Sequence, residues 1–90
     1  MQNVVDLALV SHARRALQKT LDLRGIGFFL RPDSRVPRLD SRRIAWVVES
    51  ARRTVREVPR RDPDAVARTR RVIRRELIRR LSEAMVRAGL

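Results

Sequence analysis

The chain has 90 residues, no cysteine, and 22 basic residues against 10 acidic ones, a formal net charge of +12 at pH 7. A chain of this length suits a single domain that buries about 60–65% of its unfolded surface. The missing cysteines exclude disulfides and thiolate metal sites, and no apolar run approaches the ~18 residues of a membrane span.

The charge points to a polyanionic partner, DNA or RNA first, or to an acidic protein surface. Of the basic residues only Lys19 is lysine. Arginine is the better bidentate phosphate ligand, although a GC-rich genome produces the same bias. The start of the chain lacks a basic region before its apolar stretch, and Asp6 interrupts that stretch, so no signal peptide is expected. The expected setting is cytoplasmic, or a virus particle assembled inside a cell.

In chain order, the spacing predicts an all-α domain of three helices at about 4–23, 41–58 and 63–88. Asn3 is the candidate cap of the first helix and Gly25 its stop. Val5, Leu9, Val10, Ala13, Ala16, Leu17 and Leu21 form its apolar side. Gly25, Gly27, Pro32 and Pro37 then break the pattern, so 24–40 is expected to be an irregular loop with room for a short extended piece. Within it, Ile26, Phe28, Phe29 and Leu30 form an apolar knot. Such a knot plugs the end of a small bundle, anchors a neighbouring subunit, which makes Phe28 and Phe29 candidate interface residues, or enters a membrane surface, a use that no lipidation motif here supports.

Asp40 or Ser41 caps the second helix, whose Ile44, Val47, Val48, Ala51, Val55 and Val58 make a narrow stripe. Arg42, Arg43, Arg52, Arg53 and Arg56 cover its other faces. Trp46 falls on this charged side, away from the stripe. An aromatic on a polar face has three uses: a cation–π pair with Arg42 or Arg53, a protein contact, or stacking on a base. A short linker with Arg60 and Arg61 makes the second and third helices neighbours.

The third helix opens on Asp62 and Pro63 and closes at Gly89. Val66, Ile73, Leu77, Leu81, Ala84, Met85 and Ala88 are its apolar stripe. Arg80 and Arg87 follow Glu76 and Glu83 by four residues and are expected to pair with them. Arg70 and Arg74 sit within or beside the stripe. Arg68, Arg71, Arg75 and Arg79 step by three, four and four residues into a ridge that only Asp64 offers a carboxylate. A row of like charges repels itself, which favours a polyanion as its partner over a merely solvated face.

No catalytic constellation emerges. His12 is the single histidine, and its neighbour Ser11 cannot face it on a helix. No phosphate-cradling glycine loop and no zinc spacing is present, so neither a metal, a cofactor nor a small-molecule substrate is expected.

The sequence therefore predicts a non-enzymatic protein that contacts nucleic-acid backbone with little sequence preference. The expected contacts are Arg42, Arg52, Arg53, Arg56, Arg60 and Arg61 together with the ridge Arg68, Arg71, Arg75 and Arg79. A helix-turn-helix arrangement is disfavoured by the length of the second helix. The alternative is a small helical subunit of a ribonucleoprotein effector or phage assembly, held by protein contacts at Trp46, Phe28 and Phe29, or a homo-oligomer.

Overall fold

A computed structural model describes residues 5–54 and 63–90. It is an all-α, three-helix arrangement, as the periodicity predicts. Helix α1 runs Leu7–Arg24, a single 3₁₀ turn covers Ile26–Phe29, α2 runs Ser41–Thr54 and α3 runs Pro63–Arg87. Asn3, the 55–58 end of the expected second helix, Arg56, Arg60, Arg61 and the Asp62 cap lie outside the described residues.

Helix α1 starts later than the spacing suggested. Asp6 adopts an extended backbone, and its side chain accepts the Leu9 N–H at 3.1 Å. A carboxylate in that place satisfies one of the first-turn amides that have no partner inside the helix. At the other end Gly25 takes φ 77° and its N–H donates to the Leu21 carbonyl at 2.8 Å. The end of α3 closes in the same spirit. Gly89 also has φ 77°. Its N–H reaches the Val86 carbonyl at 3.0 Å, while the Leu90 N–H reaches the Met85 carbonyl at 2.9 Å. These are the paired bonds of a Schellman stop.

One core draws on all three helices and the 3₁₀ turn. Leu9, Val10, Ala13 and Leu17 come from α1, Ile44, Val47 and Ala51 from α2, and Ile73, Leu77 and Leu81 from α3. These are the positions that the three stripes single out. Ala88, assigned to the α3 stripe, is exposed instead and lies just beyond the last residue of α3.

Phe29 decides what the loop does. It is 0% exposed and is among the largest fully buried side chains, so it plugs the core. Its assignment as an interface residue is corrected on that ground. The loop's short extended piece is present. Leu30 and Leu39 form an antiparallel bridge. The Arg31 N–H donates to the Arg38 carbonyl at 2.8 Å, and the Asp40 N–H to the Phe29 carbonyl at 2.7 Å. Backbone bonds of this kind hold Phe29 over the core and deliver Asp40 to the start of α2.

Candidate nucleic-acid interface

Helix α3 presents its arginines in two electrostatic states. The first is a compensated cluster around Glu76. That carboxylate takes Arg79 and Arg80 at 3.0 Å each from its own helix and Arg14 of α1 at 3.2 Å. Hydrogen bonds from Arg79 and then Arg80 hold the Glu76 carboxyl below its ordinary range. The same contact raises the Arg79 guanidinium's pKa, with Glu83 adding to it.

Arg79 also reaches Glu83 at 2.9 Å, which corrects two expectations. Arg79 is the fourth member of the expected ridge, yet it is spanned by two carboxylates. Glu83 is taken by Arg79, and Arg87 forms no ion pair among the described residues. The i−3 and i+4 glutamates flank Arg79 on one side of the helix, so its guanidinium can fork between them.

The second state is uncompensated. Arg70, Arg71, Arg74 and Arg75 are exposed and form no ion pair among the described residues. Arg71 and Arg75 belong to the expected ridge. Arg70 and Arg74, assigned to the edge of the stripe, flank a shallow groove against Ile44, Ala45, Val48 and Glu49 of α2. Arg68 is half-buried, and Asp64 and Arg68 each take part in an interaction, so neither is free. The ridge is therefore shorter and wider than the spacing predicts. It is a band one and a half turns long, rather than a line of four.

On α2, Arg52 is half-buried and bonds Glu49 at 3.0 Å. Arg42 is 86% exposed, with its Nε 3.5 Å from Asp40. Arg53 is exposed. Asp40 is only 6% exposed, because its Oδ1 accepts the Arg42 N–H at 2.9 Å and caps the helix.

Trp46 is 49% exposed. Neither Arg42 nor Arg53 stacks on it. Its neighbour is Phe28, at 5.8 Å between ring centroids and 63° between planes. Phe28 in turn stands edge-on to the buried Phe29 at 5.2 Å. The cations rest on Phe28, with Arg43 at 4.2 Å and Arg24 at 5.4 Å from its centroid. Sequence spacing missed Arg24 and Arg43 as members of this cluster. Arg43 lies three residues before Trp46 and so shares its face, a usable signal. The approach of Phe28 needed the loop's path.

Among the described residues, no three His, Asp or Glu side chains are grouped to hold a metal ion. No helix there is long and apolar enough to cross a membrane. Comparison with protein-family models, with curated proteins and with solved structures finds no match for this chain.

Proposed function

We propose that the chain is a non-enzymatic, intracellular nucleic-acid-binding protein that grips the phosphate backbone with little sequence preference. The observation that supports it is the band Arg70, Arg71, Arg74 and Arg75. Four exposed guanidiniums within six residues repel one another in the free protein. A polyanion relieves that repulsion and releases its own counterions on binding. Arginine adds forked hydrogen bonds to phosphate oxygens. Backbone contacts position a protein without reading bases, which accounts for a weak sequence preference.

Salt dependence tests the reading. Each neutralised duplex phosphate contributes about −0.9 to the slope of log affinity against log salt. Changing Arg70, Arg71, Arg74 and Arg75 together to Gln should flatten that slope by roughly two to four units. It should weaken unrelated sequences alike. Changing Arg79 and Arg80 to Gln should cost less per charge removed, because Glu76 and Glu83 already engage them. Equal losses per charge would leave only diffuse attraction. No binding at low salt would overturn the reading in favour of an assembly subunit.

A further inference from the structure

The loop end of the bundle carries a second basic feature, built from residues other than the α3 band. Arg24, Arg31, Arg35, Arg38, Arg42 and Arg43 face only Asp33 and Asp40 in the same stretch of sequence, six positive charges against two negative, a balance of +4. Both carboxylates are engaged. Asp33 accepts two hydrogen bonds from Arg31, at 3.3 and 3.2 Å, and hydrogen bonding by Arg31 holds its carboxyl below the ordinary range. Asp40 is buried at the start of α2. An open cleft of about 430 Å³ lies here, bounded by Phe28, Leu30, Pro32, Arg42 and Arg43. A second cleft, bounded in part by Arg31, shares Asp40 and Arg42 with it.

Trp46 stands at this end with half its surface open. Its mount is layered: Phe28 lies against it, the buried Phe29 against Phe28, and Arg43 on the Phe28 ring. An indole in this setting has little to offer an apolar protein partner, since covering it would also desolvate the surrounding guanidiniums. An acidic peptide would use the charge and ignore the ring. A polyanion that also carries flat aromatic groups uses both.

We propose that Trp46, propped on a Phe28 ring that also carries Arg43 and Arg24, is a stacking platform for an unpaired base, so that the chain takes single-stranded nucleic acid at its loop end. The basic cleft beside Arg42 and Arg31 carries the strand's phosphates. Stacking of this kind tolerates any base, because every base has a π face. A paired base in a duplex keeps its faces stacked on its neighbours and cannot use the platform. The inference rests on the backbone-binding reading above and narrows its substrate to strands with accessible bases.

Trp46 is the single tryptophan and there is no tyrosine, so its emission reports this site alone. The wild-type chain is titrated with oligothymidylate, an abasic oligomer of the same length, a duplex with the same number of phosphates, and polyglutamate. Oligothymidylate should quench Trp46, and the other three should leave its emission largely unchanged. Trp46→Ala should weaken oligothymidylate about tenfold or more. The abasic oligomer and the salt slope should stay as they are. Trp46→Phe should recover part of the loss and guards against a folding defect in the alanine variant.

Equal quenching by the abasic oligomer or polyglutamate would overturn the platform while leaving backbone binding intact. So would equal affinity of Trp46→Ala and wild type for oligothymidylate. A concentration-dependent blue shift without nucleic acid would show that a second copy covers Trp46, and would also overturn it. Absence of binding to every probe at low salt would remove the backbone reading itself, and the platform with it.

Discussion

The Thr69 hydroxyl accepts the backbone N–H of Asp6 at 3.1 Å, across 63 residues of sequence. Thr69 is 1% exposed and sits on the core face of α3, between Val66 and Ile73. Asp6 uses its side chain to cap α1, so the start of α1 is fastened to the second turn of α3 by one polar side chain. Thr69→Val keeps the shape and removes the acceptor. It should cost about 1 kcal/mol, seen in urea unfolding as a lower midpoint at unchanged m. Asp6→Ala should cost about 0.5–2 kcal/mol through the lost cap. The double variant should lose less than the sum, since both changes loosen the same junction. Strict additivity would show that the two bonds act independently.

Phe29→Ala should be the most damaging single change in the loop. Removing a fully buried phenyl ring costs about 3–5 kcal/mol, a large part of the 5–15 kcal/mol that holds a typical domain. Phe28→Ala should cost clearly less, because Phe28 is only half-buried. Thermal unfolding of the two variants checks the order, and a reversal would mean that Phe28 is the plug.

Gly25 and Gly27 should respond oppositely to alanine. Gly25 has φ 77° and ψ 173°, a region closed to side-chain-bearing residues, and no atom lies within 4 Å of an added Cβ. Its substitution should cost about 1–3 kcal/mol through backbone strain alone. Gly27 has no positive φ and the same open surroundings. Gly27→Ala should be neutral or stabilising by up to about 1 kcal/mol, through lost freedom in the unfolded chain.

Glu76 gives stability a pH dependence of known sign. Its folded pKa lies below the ordinary 4.5 because Arg79 and Arg80 favour the carboxylate. The contribution is therefore complete above the unfolded value and is lost as pH falls through the folded one. Unfolding free energy should decline as pH drops below about 5, and Glu76→Gln should remove that part of the decline. At pH 7 the Gln variant should be about 1 kcal/mol less stable, since its main pairs are partly solvated. An unchanged acid limb in the variant would assign the decline to other carboxylates.

What the sequence determined by itself is whatever depends on local periodicity. The stripes around Leu9–Leu17, Ile44–Ala51 and Ile73–Leu81 identify the three helices and the core positions, because a helix must bury the face on which apolar residues recur. The phase of α2 likewise puts Trp46 outside. Thr69 was legible in principle, lying in step with Val66 and Ile73, but its polarity hid it.

Only the tertiary structure decided which charges are neutralised and which rings meet. Glu76 can pair with any of several arginines along its own helix, and the arrival of Arg14 from α1 cannot be seen from spacing. The i,i+4 pattern assigns Arg80 to Glu76 correctly, but Glu83 goes to Arg79, which forks between the two carboxylates, and not to Arg87. Phe28 and Phe29 are adjacent and chemically identical. The loop's backbone bonds, through Asp40 N–H to the Phe29 carbonyl, send one ring into the core and leave the other against Trp46. Periodicity sets which way a residue on one helix faces, whereas contacts between elements depend on the path of the chain that joins them.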